Sequence, residues 1–61
     1  MTIYSDNAAH VEICDGDTGV SLATDDIAAR KAAGYDNTAG HKTLVLKISL
    51  GSEPYILTIK L

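Results

Sequence analysis

The sequence predicts a small α+β domain of order β-β-α-β-β, with one short helix packed on an antiparallel sheet. Three observations predict it: strict alternation of apolar residues on both sides of Gly51-Ser52-Glu53-Pro54, a shorter copy of that pattern around Asp15-Gly16-Asp17-Thr18-Gly19, and an alanine-rich run with helix end signals between them. Side chains on a strand point alternately to opposite faces, so the two alternating regions read as hairpins.

The last hairpin is the best specified. Leu44, Leu46, Ile48 and Leu50 alternate with Thr43, Val45, Lys47 and Ser49, and Tyr55, Leu57, Ile59 and Leu61 alternate with Ile56, Thr58 and Lys60. Taking Gly51 to Pro54 as a loop of turn formers pairs Leu50 with Tyr55, Ile48 with Leu57, Leu46 with Ile59 and Leu44 with Leu61. A slip of one residue would turn one apolar set to the wrong face, so register is strongly constrained.

Ahead of it, Ile3 and Tyr4 suffice for a short terminal strand or an arm on the core. Val11 and Ile13 share one face, with His10, Glu12 and Cys14 on the other. A loop at Asp15–Thr18 would pair Ile13 with Val20 and Val11 with Leu22. From Ala23 to Gly34 the signals are helical. Thr24 or Asp25 can cap the N-terminus, Asp25 and Asp26 precede Arg30 and Lys31 as the helix dipole prefers, and Gly34 suits the C′ position. Alanines 28, 29, 32 and 33 have the highest helix propensity. So short a helix must pack to persist, here through Ile27 and the alanines, and Tyr35 closes its end over the core.

Sixty-one residues make a single domain, 1–61, with a marginal core. Small domains usually add disulfides, a metal or a second subunit. Cys14 is the only cysteine, no apolar leader follows Met1 and no apolar run is long enough to span a membrane, which together point to a cytoplasmic protein. The net charge of −3 is unevenly distributed. Asp6, Glu12, Asp15, Asp17, Asp25 and Asp26 precede any Lys or Arg, whereas Arg30, Lys31, Lys42, Lys47 and Lys60 share the remainder with Asp36 and Glu53 alone. Such asymmetry marks an interaction surface unless the halves interleave and neutralise each other.

Motifs for chemistry are wanting. Counted from Asp15, a calcium loop would need an oxygen ligand where Gly19 stands and glycine where Val20 stands, so a plain Asp/Gly turn explains the residues. His10 and Cys14 on one strand would lie roughly 13 Å apart, too far to share one zinc ion. Cys14 stands beside Asp15, the reverse of the electropositive setting a reactive thiolate needs, and neither a nucleophile elbow nor a phosphate loop is present. The expectation is no enzyme, no metal and no cofactor. Thr24 to Thr38, with Ile27-Ala28 ahead of Gly34-Tyr35, resembles a helix-turn-helix, which would imply DNA binding. In that family the Ile-Ala pair sits closer to the turn glycine, and the second helix would run through Gly40 into β-branched residues, so the pattern departs from it.

Two functional expectations follow. The first is a small non-catalytic module that docks on a larger protein, as an inhibitor or antitoxin-like partner, including a virus-encoded one whose carboxylates imitate nucleic-acid phosphates. Its interface residues would be Asp15, Asp17, Asp25, Asp26, Val45 and Ile56, the last two being apolar on the otherwise polar sheet face. The alternative is a nucleic-acid-binding module using a sheet face with Lys42, Lys47 and Lys60. It is disfavoured by a sequence pI near 5.0 and by only three tyrosines for base stacking. The small core and the unprotected sheet edges also predict a homodimer.

Overall fold

Alternation, not helical periodicity, governs the chain. The computed structural model describes residues 1–61 and contains six strands and no helix: β1 Thr2–Ser5, β2 Ala9–Asp15, β3 Ser21–Ile27, β4 Lys31–Gly34, β5 Thr43–Leu50 and β6 Glu53–Lys60. Four form one antiparallel sheet in the order β3-β2-β5-β6, and β1 pairs with β4 in a separate two-stranded ribbon. The α+β expectation is therefore corrected to an all-β fold.

The central pair is β2 and β5, which lie side by side although distant in sequence. Val11 faces Ile48, Ile13 faces Leu46 and Asp15 faces Leu44, while on the opposite surface Glu12 faces Lys47 and Cys14 faces Val45. Val11, Ile13, Leu44 and Leu46, joined by Ile27, make the buried core, and Ile3, Ala33 and Tyr35 of the ribbon side close over it. The ribbon is continued by reciprocal bonds in which the Met1 amine donates to the Tyr35 carbonyl and the Tyr35 N–H to the Met1 carbonyl, each 2.8 Å. Tyr35 thus covers the core as expected, but from a strand end.

The expected helix over Ala23–Gly34 is instead the end of β3, a turn and β4. As a helix it would bury Ile27 and a few alanines only. As a strand, Thr24 to Ile27 pairs with Glu12 to Ala9 and satisfies that edge of β2, and Ile27 becomes 4% exposed. Ala32 and Ala33, in β4, pair with Tyr4 and Ile3 of β1. Alanine propensity is a weak preference that such pairing overrides. The turn is closed by the Lys31 N–H donating to the Ala28 carbonyl at 3.1 Å, with Arg30 left-handed at φ 60.

Both hairpins form, each with a register other than expected. The β5–β6 loop is Gly51-Ser52 alone, so Leu50 faces Glu53, Ile48 faces Tyr55, Leu46 faces Leu57 and Leu44 faces Ile59. Gly51 has φ 63, the first position of a type II′ turn, whose twist suits a tight hairpin. The shift is two residues, so each side chain keeps its expected face. In the first hairpin the turn is Gly16–Gly19, with the Asp15 N–H donating to the Val20 carbonyl at 2.9 Å. Cys14 then faces Ser21 and Ile13 faces Ala23, leaving Leu22 unpaired in a bulge. Gly16 donates its N–H to the Thr43 carbonyl at 2.8 Å, and a Cβ there would collide with the Thr43 side chain.

The Ala28–Lys31 turn gives a direct test. The Ala29 N–H donates to no backbone carbonyl, and Ala29 precedes the left-handed residue, where type II turns favour proline. Ala29→Pro should leave stability unchanged or raise it by about 0.4–1 kcal/mol in urea unfolding. In a helix interior the same change would cost about 3 kcal/mol. Arg30→Gly should also stabilise, by relieving the left-handed side chain.

Candidate functional site

Cover over the sheet thins out at β6, where only Ile59 still packs against the core. Three rows cross the face beneath the ribbon: Asp25–Val11–Ile48–Tyr55, Ala23–Ile13–Leu46–Leu57 and Asp15–Leu44–Ile59. Val11, Ile13, Leu44 and Leu46 are buried, but at the end of their rows Tyr55 is 49% and Leu57 51% exposed. On the opposite face Ile56 is 72% exposed, and on the core side Leu61, just beyond the strand, is 67% exposed. An eight-residue strand therefore shows exposed apolar side chains on both faces, Tyr55 and Leu57 on one and Ile56 on the other, and is open to solvent along most of its length.

Its outer edge is also open, because β6 ends the sheet. The Leu61 N–H donates to the Lys42 carbonyl at 2.9 Å, and counting back by twos turns the backbone groups of Ile59, Leu57, Tyr55 and Glu53 toward β5. Those of Lys60, Thr58 and Ile56 face away from the sheet. Pro54 falls in the same outward set, which is how β6 accommodates a residue without an N–H. The Tyr55 hydroxyl donates to Glu53 Oε2 two residues back, an acceptor that pushes its phenol up from the ordinary value.

The acidic residues are not gathered into one surface. Asp15 is turned into its own loop: Oδ1 accepts the Asp17 N–H at 3.1 Å, Oδ2 accepts the Thr18 hydroxyl at 2.9 Å, and His41 Nδ1 lies 3.7 Å from Oδ2. The Asp17 N–H and then the Thr18 hydroxyl hold the Asp15 carboxyl below the usual carboxylate range. Asp17 is exposed at the tip of the turn. Asp25 and Asp26 lie on the opposite edge strand, β3, and face opposite sides of the sheet: Asp25 lines the cleft beneath the ribbon, and Asp26 Oδ1 lies 2.7 Å from His10 Nδ1. Val45 and Ile56 do share the uncovered face. They sit diagonally, Val45 opposite Thr58 and Ile56 opposite Lys47.

Interleaving of the two halves offsets part of the charge asymmetry, since Glu12 of β2 lies 4.0 Å from Lys47 of β5. The lysines and tyrosines do not combine into a stacking platform: Lys47, Lys60 and Ile56 share one face, and Tyr55 lies on the other. His10 and Cys14 stand four residues apart on β2, Cys14 is buried, and no three His, Cys, Asp or Glu side chains converge for a metal ion. The cleft between ribbon and sheet, lined by Ile3, Val11, Ala33 and Tyr35 among others, is about 90 Å³. Small-molecule pockets are several-fold larger. No helix of the structure is long and apolar enough to cross a membrane.

The chain matches no protein-family model, no curated protein and no solved structure. The candidate site therefore rests on its geometry, and the geometry singles out β6. The sequence pattern puts Ile56 on the open face, as observed, but points Tyr55, Leu57 and Leu61 to a core that does not cover them. Counting core-facing residues against the available cover would have found them, since the ribbon supplies little more than Ile3, Ala33 and Tyr35.

The Asp15 loop carries a signed pH dependence. A carboxyl with a lowered folded-state pKa adds stability above its unfolded value, about 3.9, and that stability is lost as pH falls through the folded value. Urea unfolding of the natural chain and of Asp15→Asn should therefore converge as pH falls below about 4. Curves that stay parallel through this range would exclude the carboxylate as the turn's anchor.

Proposed function

We propose that this chain is a non-catalytic protein-association module that takes up an extended segment of another polypeptide along β6. The observation that carries the reading is the contrast between its two sheet edges. Natural sheets blunt an edge with charges, bulges or cover. The β3 edge has all three: Asp25 and Asp26, the bulge at Leu22, and contact with β4. On β6 the only such residues are Glu53, Pro54 and Lys60 at its ends, while Tyr55, Ile56, Leu57, Thr58 and Ile59 between them carry no charge. A strand added there would bond the outward N–H and carbonyl groups of Ile56, Thr58 and Lys60, and would cover Tyr55 and Leu57 on one face and Ile56 on the other.

The acid-led version of the docking expectation has less support. Asp15 is committed to its turn and Asp26 to His10. Asp17 and Asp25 lie at separate places on the surface. Of the expected interface, Ile56 and its diagonal neighbour Val45 belong to the β6 reading.

Site-specific photocrosslinking tests it. A photoreactive residue in place of Ile56 should capture a discrete polypeptide adduct in cells, and one in place of Asp17 should not. Ile56→Lys should weaken the association by about tenfold or more, roughly 1.4 kcal/mol, whereas Asp17→Lys should leave it unchanged. Capture at Asp17 with none at Ile56 would return the interface to the acidic turn.

A further inference from the structure

We infer that the segment β6 receives is β6 of a second copy of this chain, paired antiparallel about a two-fold axis through Thr58. The inference rests on the strand-addition reading and supplies the partner. A two-fold edge pairing brings together backbone groups that both point outward, which on this strand are those of Ile56, Thr58 and Lys60. With Thr58 opposite Thr58 of the second copy, Ile56 stands opposite Lys60 and Lys60 opposite Ile56. Each of these three N–H groups then finds a carbonyl, and each carbonyl an N–H. Pro54, which has no N–H to give, falls just outside the paired stretch.

The side chains fit the same register. On the face continuous with the core, exposed Leu57 meets the partly buried Ile59 and exposed Tyr55 meets exposed Leu61, so apolar residues face apolar ones. On the opposite face a Thr–Thr pair lies at the axis, a favourable cross-strand combination. Ile56 packs there along the aliphatic stem of Lys60, leaving the ammonium in water. Moving the axis to Leu57 would put Pro54 opposite Lys60, where a bond is lost, and Glu53 opposite Leu61. The Thr58 register avoids both. The result is a continuous sheet in the order β3-β2-β5-β6-β6-β5-β2-β3.

The small core supplies the need for such a partner. Only seven of 61 residues are buried, a small core for a chain with one cysteine and no site for a metal ion. A stable interface should remove about 1,000 Å² in all, hence about 500 Å² per chain. The chain exposes 4169 Å², and Tyr55, Ile56, Leu57 and Leu61 account for four of its seven exposed large hydrophobic residues.

Thr58→Cys and Ile56→Cys, each subjected to mild oxidation, test both the association and its register. Paired strands place hydrogen-bonded residues about 5.5 Å apart at Cα, within disulfide range. Thr58→Cys should therefore form a covalent dimer, while Ile56→Cys, whose counterpart is Lys60, should not. The native Cys14 is buried and does not compete. On the natural chain, sedimentation equilibrium should give a dimer, and the Ile56, Thr58 and Lys60 amides should become protected from hydrogen exchange in step with dimer formation. Thr58→Lys, which sets two like charges face to face, should weaken the dimer at least tenfold. A monomer mass at every concentration would overturn the inference, as would a dimer whose three amides stay unprotected or one that crosslinks equally at Ile56. The strand-addition reading would then stand or fall on whether the Ile56 adduct has the mass of a different polypeptide.

Discussion

Everything in this structure hangs on the pairing of β2 with β5. It is the only contact that joins the N-terminal hairpin to the C-terminal one within the four-stranded sheet, and it brings Val11 and Ile13 beside Ile48 and Leu46. The most deeply buried side chains, Val11 and Leu44, belong to these two strands. The pairing closes a long loop, a cost recovered only when the apolar rows meet, so β2, β5 and the residues above them must form together. The Asp15 turn is tied to the same pair, because Gly16 donates to Thr43 and His41 approaches the Asp15 carboxylate.

From that centre the burial is lopsided. The ribbon lies over β2 and β3, where Ile3, Ala33 and Tyr35 reach the core, and the cover thins out across β5. On β6 only Ile59 still packs against the core, and Tyr55 and Leu57, whose alternation would suit a buried strand, are exposed. The edges follow the same division. Charge, a bulge and β4 guard the covered side, and the bare side is apolar and open. Exposed apolar surface combined with unpaired backbone is a liability in a free chain. It is an asset in one that associates, and strand addition removes both at once.

Much of the C-terminal half was legible in the sequence. Period-two alternation placed Thr43–Leu50 and Tyr55–Lys60 on their observed faces, and turn formers placed both hairpins. Register was missed because turn residues were counted as a block: Gly51-Ser52 alone makes a type II′ turn, and Glu53 and Pro54 extend the strand. In the first hairpin the Leu22 bulge breaks the simple count. The helix error has a different origin. Capping residues, dipole-ordered charges and alanines all favoured a helix locally, but the competing partners, β2 for Thr24–Ile27 and β1 for Lys31–Gly34, lie elsewhere in the chain. Local preference cannot see them. Of the expected interface residues, Ile56 and Val45 stand out in the sequence as apolar residues on an otherwise polar face. Tyr55 and Leu57 were hidden by the assumption that an apolar row is a covered row.

The fold depends on the β2–β5 register, and cross-strand nuclear Overhauser effects measure it most directly. Gly16 and Thr43 form a hydrogen-bonded pair, so stepping along the ladder makes Val11–Ile48 and Ile13–Leu46 non-hydrogen-bonded pairs, whose Cα atoms approach to about 4.5 Å. Strong Hα–Hα cross-peaks should join Val11 to Ile48 and Ile13 to Leu46. Cross-peaks joining Val11 to Leu46 instead, or helical i to i+3 contacts running through residues 24–33, would contradict the fold and with it the open β6 edge.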